Sequence, residues 1–216
     1  MTTCPFETFL ALNGLPVIHA FTGRVPGLDV KADRPTALGR LDRYHDDVRE
    51  FLGLRERPYR TAQQVHGADV AVVDARSAEC SPGVDALVTS DPTVCLGIYV
   101  ADCGPVFFVD PVQRVIAAAH SGRKGTALGI VGETIATMER EFGSDPADLV
   151  VQVGPCIRPP LYEVDFPADI VRQARDAGVR QVHDCGTCTA AHLDRYYSYR
   201  LEKGQTGRMV ALLALR

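Results

Sequence analysis

Two apolar runs separated by an Asp-Pro pair constrain the fold of this chain most strongly. Residues 106–120 read VFFVDPVQRVIAAAH, so an apolar segment stands on either side of a turn signal. Proline fixes its own backbone and aspartate favours turns, so such a run folds back on itself. The pattern predicts a β-hairpin with antiparallel strands. The same design in residues 85–103, DALVTSDPTVCLGIYVADC, predicts a second pair of neighbouring strands.

The remaining segments predict more strands than helices. Strands are expected in residues 15–24, 68–75, 148–157 and 207–215, where apolar residues dominate. Helices are expected from Pro35 to Gly53, along a stripe formed by Leu128, Val131, Ile135, Met138 and Phe142 that ends at Gly143, and in residues 168–178. The predicted class is α+β, with mixed or antiparallel sheets covered by helices in one domain over residues 1–216.

Composition excludes several classes of protein. The 216 residues carry a net charge of −4, which disfavours a nucleic-acid-binding face. No apolar stretch approaches the ~18 residues that span a bilayer, and the first residues lack the pattern of a signal peptide. Seven cysteines, an odd number, are typical of reduced thiols. We therefore expect a cytoplasmic protein.

Three side chains that could bind a metal or act as a nucleophile are expected at the ends of strands, each with a glycine one or two residues later. They are His66 in QVHG, Cys103 in ADCG and His120 in AHSG. Two imidazoles and a thiolate form a zinc set of the open type, in which water or substrate takes the fourth position. Spacing alone is a weak signal, because histidine or cysteine beside glycine is also common in ordinary turns.

A cysteine hydrolase is the competing interpretation of these residues. Cys103 with His120 or His66 would form a thiolate–imidazole pair, and Asp102 would be the third member. In the zinc interpretation, Asp102 is instead expected to orient a ligating imidazole.

A basic glycine loop, SGRKGT at 121–126, precedes the second helix. Its backbone N–H groups together with Arg123 and Lys124 suit a phosphate, although the P-loop spacing is absent. The alternative is a solvated turn capped by Thr126.

The CxxC pair Cys185 and Cys188 is expected to be incidental. The same holds for the remaining histidines, which are His19, His45, His183 and His192.

Six short motifs in a fixed order resemble the YfiH-like laccase-domain family, often named polyphenol oxidase. They are QVHG at 64–67, DALVT at 85–89, ADC-P-V at 101–106, AH-G--G at 119–125, GPCI---YEV at 154–164 and YSYR---G-TGRM at 197–209. The resemblance as a whole spans roughly residues 18 to 213, nearly the whole chain.

The resemblance implies an α/β/β/α fold and one zinc ion held by His66, Cys103 and His120, with Cu(II) as the alternative metal. It also implies phosphorolysis of adenosine, inosine and methylthioadenosine, with adenosine deamination in some members. Other members are linked to copper-dependent phenol oxidation or to editing of peptidoglycan precursors. A copper phenol oxidase should need many more histidines than the six here.

The chain departs from the family pattern beside the expected site. The family usually has AHAGWRG where this chain has AHSGRKG, and GPCIRPPLYEV is also altered. These changes keep a non-catalytic member of the fold as an alternative. Residues expected to hold substrate or phosphate are Arg123, Lys124, Gln64, Asp85, Tyr162 and Arg24. We predict a zinc-dependent purine nucleoside phosphorylase acting on nucleoside and phosphate.

Overall fold

Two six-stranded β-sheets form the centre of the computed structural model, which describes residues 4–216. Sheet A contains, in spatial order, β1 (Phe6–Glu7), β2 (Val17–Thr22), β12 (Met209–Leu215), β7 (Cys95–Val100), β3 (Tyr59–Ala62) and β5 (Cys80–Ser81). Sheet B contains β11 (Gln181–Asp184), β10 (Val150–Val153), β8 (Gly104–Asp110), β9 (Val115–Ser121), β6 (Ala86–Thr89) and β4 (Val70–Val72). Both sheets mix parallel and antiparallel pairs, which confirms the predicted α+β class.

Helices cover the outer faces of the two sheets. They are α1 (Arg34–Phe51), α2 (Arg123–Ala127), α3 (Ile130–Phe142) and α4 (Phe166–Asp176). Helix α1 packs on sheet A, where the Arg49 guanidinium lies 4.4 Å from the Tyr59 ring centre. Helices α3 and α4 pack on sheet B. None of the helices in residues 4–216 is both long and apolar enough to cross a membrane.

Sheet B is buried on both faces, since sheet A packs against one face and helices α3 and α4 pack against the other. Successive side chains of a strand point to opposite faces. Phe107 and Ala118 join the apolar cluster shared with sheet A, whereas their neighbours Phe108 and Ala117 join the cluster under α3 and α4. Continuous apolar runs, rather than alternating ones, are therefore required in β8 and β9.

The hairpin predicted around Asp110 is confirmed. Strands β8 and β9 are antiparallel, and the Asp110 carboxylate accepts hydrogen bonds from the backbone N–H groups of Val112 and Gln113. The pairing expected from the second Asp-Pro turn is wrong. Strand β6 lies in sheet B and β7 in sheet A, where β7 pairs with β12 and β3. A turn signal is local, whereas the partner of a strand is set by distant segments.

The apolar stripe of the second predicted helix is also partly wrong. Leu128 ends the short helix α2 and is 55% exposed. Gly129, with φ of 87°, breaks the helical path before α3 begins. Val131 and Met138 are buried as predicted.

Three successive connections carry the chain from sheet A to sheet B at the same end of the molecule. They are residues 63–69 between β3 and β4, residues 82–85 between β5 and β6, and residues 101–103 between β7 and β8. The first contains His66, four residues beyond β3 rather than at its end, and the last contains Cys103. His120 is the penultimate residue of β9. The crossings therefore bring together residues that are far apart in sequence.

Buried His45 of α1 makes folding sensitive to pH. Burial lowers the pKa of His45 from 6.5 to about 4, so the folded protein holds this ring neutral. The stability that results is present above the unfolded pKa and is lost as the pH falls from 6.5 towards 4. We expect the free energy of unfolding to drop by about 2 kcal/mol between about pH 7.5 and pH 5 because of His45.

Urea titrations of the wild type and His45→Gln at both pH values measure this contribution. The variant should show a correspondingly smaller pH dependence. An equal dependence in both proteins would contradict the assignment.

Candidate functional site

A fully buried carboxylate, Asp85, organises the end of the molecule where the crossings meet. One of its oxygens accepts hydrogen bonds from the backbone N–H groups of Val65 (3.0 Å) and Gly67 (2.7 Å). The other accepts from the His66 N–H (3.0 Å) and meets Nδ1 of His120 at 2.7 Å. Asp85 thus fixes the loop that carries His66 and the ring of His120 at once.

The hydrogen bonds to Asp85 decide its charge. Burial alone would raise the pKa of Asp85, but hydrogen bonds from His120 and from the backbone of Gly67 and His66 lower it overall. The carboxylate is therefore ionised, and the proton between it and His120 lies on Nδ1. The second ring nitrogen of His120, Nε2, remains for other partners.

Gly122 makes room for the sulfur of Cys103. A Cβ atom on residue 122 would lie 2.5 Å from Cys103 Sγ, well inside van der Waals contact. Glycine is thus needed two residues after His120 so that the thiol and the imidazole can be neighbours.

Left-handed backbone conformations are concentrated beside these residues. Gln64 and His66 have φ of 62°, and Asp102 has φ of 82°. Such conformations cost non-glycine residues free energy and tend to occur at functional sites. The side-chain amide of Gln64 donates a hydrogen bond to the Tyr99 carbonyl and accepts one from the Tyr99 N–H. These two bonds stabilise the strained loop.

His66, Cys103 and His120 form a cluster of potential metal ligands. One donor atom from each lies within 4.8 Å of the others, and the two imidazole rings meet edge to face at 4.8 Å. Burial alone would raise the pKa of Cys103, but the two histidines lower it overall. Burial opposes the charge on His120, yet Cys103 and Asp85 raise its pKa. The cluster therefore favours a thiolate.

This donor set has the composition of an open metal site. His120 is bound through Nδ1 to the Asp85 carboxylate and keeps Nε2 for a metal, an arrangement typical of ligating histidines. His66 is exposed, so one side of the cluster faces the solvent. The same residues also allow another interpretation. Cys103, His120 and Asp85 follow one another in the order of a thiol nucleophile, its base and the carboxylate that orients the base.

The cluster opens into a cavity of about 630 Å³. Aromatic and cationic side chains both line the cavity, and Arg200 and Arg208 lie over the rings of Tyr162 and Tyr199. The lining residues besides the cluster are Arg34, Gln64, Tyr99, Ala101, Asp102, Arg123, Lys124, Ile157, Tyr162, Phe166, Tyr199, Arg200, Lys203 and Arg208.

The expected role of Asp102 is wrong. Its carboxylate accepts hydrogen bonds from Thr189 Oγ1 (2.7 Å), Ser198 Oγ (2.9 Å) and the Arg200 N–H (2.7 Å). The carboxylate that meets an imidazole is Asp85 instead. In the hydrolase interpretation, too, the third residue would therefore be Asp85. Adjacency in sequence was misleading because Asp102 and Cys103 point in different directions.

Four of the other six expected binding residues lie on the cavity. They are Arg123, Lys124, Tyr162 and Gln64. Asp85 is buried behind His120 and does not line it. Arg24 lies on a separate, smaller cavity, where it pairs with Glu202 at 2.7 Å. Thr126 does not cap α2; its hydroxyl donates to the Gly122 carbonyl from within the helix.

Sequence reasoning missed several cationic and aromatic residues of the cavity. Tyr199, Arg200 and Arg208 stand within the YSYR---G-TGRM motif, which could have indicated them. Arg34, the first residue of α1, carries no signal in the sequence. The other histidines lie elsewhere: His19 and His45 are buried, and His183 and His192 are exposed.

Comparison with known proteins decides the family. The family model described as multi-copper polyphenol oxidoreductase laccase matches residues 32–175 and 164–216. The chain belongs to this family. YlmD from Geobacillus stearothermophilus superposes on this laccase-family chain with a TM-score of 0.82, 25% identity and full coverage of both chains. YfiH from Bacillus licheniformis gives a TM-score of 0.80 over 98% of this chain and 99% of its own, at 23% identity. The resemblance to YfiH-like proteins is thereby confirmed.

Curated relatives of this laccase-family chain carry a different name. A protein of Deinococcus radiodurans named purine nucleoside phosphorylase is 34% identical over 99% of this chain and 95% of its own length. A Streptomyces coelicolor protein with the same designation is 36% identical over 70% of this chain and 73% of its own.

Replacement of Asp85 should destabilise the protein strongly. Asp85→Asn leaves four donors facing a neutral amide with a single acceptor oxygen. We expect the free energy of unfolding to fall by about 3 kcal/mol or more. Urea denaturation measures the change. Asp69→Ala removes an exposed carboxylate nearby and should alter stability by less than about 0.5 kcal/mol; similar losses in both variants would contradict the central role of Asp85.

Proposed function

We propose that this protein is a zinc-dependent purine nucleoside phosphorylase. The observation that carries the proposal is the His66–Cys103–His120 cluster in a cavity that aromatic and cationic residues also line. Relatives named purine nucleoside phosphorylase support the substrate class. Adenosine, inosine and methylthioadenosine are the proposed nucleosides, and adenosine deamination is the proposed second activity.

The donor set fits zinc. Two imidazoles and one thiolate are ligands that Zn²⁺ accepts at an open, three-residue site. When bound, the ion would supply a Lewis acid that polarises a substrate group or a bound water. Asp85 would keep the proton of His120 on Nδ1 and so direct Nε2 into the cluster.

The walls of the cavity match the two parts of the reaction. Tyr162, Phe166 and Tyr199 offer rings and apolar surface for a purine base. The cationic residues of the lining offer charge for phosphate. In phosphorolysis a phosphate oxygen bonds the sugar carbon as the carbon–nitrogen bond to the base breaks. The base nitrogen takes up the proton that hydrogen phosphate loses, which gives free base and a pentose 1-phosphate.

Two other activities remain as alternatives. The line of Cys103, His120 and Asp85 would also serve a cysteine hydrolase, but that interpretation gives no role to His66 in the same cluster. A copper-dependent phenol oxidase is suggested by the family's description. Within residues 4–216 the three ligands form a single group of this kind, which supports one ion rather than several coppers.

Elemental analysis and a base-release assay test the proposal together. We expect near one zinc per chain and release of purine base that requires phosphate. His66→Ala, Cys103→Ala and His120→Ala should each lose the zinc and most of the activity, by about 100-fold or more. His183→Ala, at an exposed histidine, is the matched control and should keep both. Full zinc and activity in His120→Ala would overturn the proposal.

The close approach of Cys103 to Gly122 gives a second test. Gly122→Ala should displace the sulfur and weaken zinc binding by about 10–100-fold, as measured by competition with a chelating dye. Gly39→Ala in α1 is the control, since a Cβ there meets nothing within 4 Å. Unchanged affinity in Gly122→Ala would show that Cys103 is not a ligand in the position described.

A further inference from the structure

The six cationic side chains around the cavity differ in whether a carboxylate neutralises them. Glu163 pairs with Arg200 at 2.9 Å and approaches Arg123 at 3.6 Å. Both of these arginines are exposed, and they share a single negative charge. The carboxylate of Glu163 therefore already compensates part of the positive charge of these two arginines.

Arg34 and Arg208 are held differently. Arg34 donates to the Gln63 carbonyl at 3.3 Å, and Arg208 donates to the carbonyls of Thr206 and Gly207, both at 2.9 Å. Within residues 4–216, no carboxylate oxygen lies within 4.0 Å of either guanidinium. Carbonyl oxygens orient these two groups but leave their charge in place.

The two guanidiniums are half-buried and act on each other. Burial and the charge of Arg34 both lower the pKa of Arg208. Bringing two like charges into a partly desolvated wall is costly unless an anion joins them. The charges of Cys103 and Asp102 offset this lowering only in part, and among the described residues no carboxylate pairs directly with either guanidinium.

The position of the pair relates it to the metal-ligand cluster. Arg34 is bonded to Gln63, three residues before His66, and Arg208 is near enough to Cys103 to be influenced by its charge. The Arg208 guanidinium also lies 5.7 Å from the ring centre of Tyr199, another residue of the cavity. An anion held by the pair would therefore lie in the same cavity as the metal-ligand cluster.

We propose that Arg34 and Arg208 form the phosphate-binding subsite of this cavity. Two oriented guanidiniums present forked donors that match phosphate oxygens. Lys124, by contrast, is an exposed point charge, and the charge of Arg123 is partly neutralised by Glu163. The inference rests on the proposed phosphorylase activity and assigns its co-substrate to residues other than those of the basic loop.

Calorimetric titration with inorganic phosphate tests the subsite directly. We expect Arg34→Gln and Arg208→Gln to weaken phosphate binding by about tenfold or more. Arg123→Gln and Lys124→Gln, which also remove one cavity cation each, should weaken it by less than about threefold. The assignment would be overturned if Arg123→Gln and Lys124→Gln weakened phosphate binding more than Arg34→Gln and Arg208→Gln. It would also be overturned if the wild type showed no measurable phosphate binding.

Conservative variants keep the test decisive if a glutamine variant fails to fold. Arg34→Lys and Arg208→Lys keep the charge but lose the fork, and each should bind phosphate more weakly than the wild type while unfolding at a similar urea concentration. Wild-type affinity in both lysine variants would contradict the subsite.

The base-release assay separates failure of the subsite from failure of the proposed function. If the wild type releases no base in phosphate, yet Arg34→Gln and Arg208→Gln lose phosphate binding, the subsite stands and the phosphorylase assignment falls. If base release requires phosphate but its KM for phosphate is unchanged in these variants, the phosphorylase stands and the subsite falls.

Discussion

The contact between Asp85 and four hydrogen-bond donors is the interaction on which the rest of the site depends. A fully buried carboxylate is costly unless its oxygens are satisfied, and here three consecutive backbone N–H groups and one imidazole satisfy them. The cost of leaving any of these groups unpaired holds the loop around His66 against the end of β9. The strained backbone of that loop is stable because Asp85 determines its position.

The topology explains why chemistry gathers at one end of the molecule. Three connections leave sheet A and enter sheet B there, and each contributes to the site: His66 from the first, Asp85 from the second and Cys103 from the third. Between the layers, continuous apolar packing fixes the strands that end at this edge. The rigidity of the core is thereby transmitted to short loops, and the donor atoms keep their spacing without a long supporting network.

Local sequence signals predicted the elements well and their partners less well. The strands around Asp110 and the three longer helices follow from apolar periodicity and turn residues, and the ordered motifs indicated the family. The placement of β6 and β7 in different sheets depends on β12, more than a hundred residues later. Likewise, Asp85 lies in a motif that was identified, but its role depends on contacts with residues 18 to 35 positions away. Arg34 reaches the cavity through the packing of α1, and no pattern in the sequence records that.

Asp102 binds the segment that returns from sheet B to sheet A through Thr189, Ser198 and the Arg200 N–H. That segment carries Tyr199 and Arg208, which face the cavity, but none of the three clustered ligands. Part of the cavity surface therefore comes from a stretch of chain that carries none of the clustered ligands, and one carboxylate joins that stretch to the loop of Cys103. Substitutions in the returning segment can change which molecules the cavity accepts while the reactive groups keep their geometry, so selectivity and chemistry can diverge independently in proteins with this architecture.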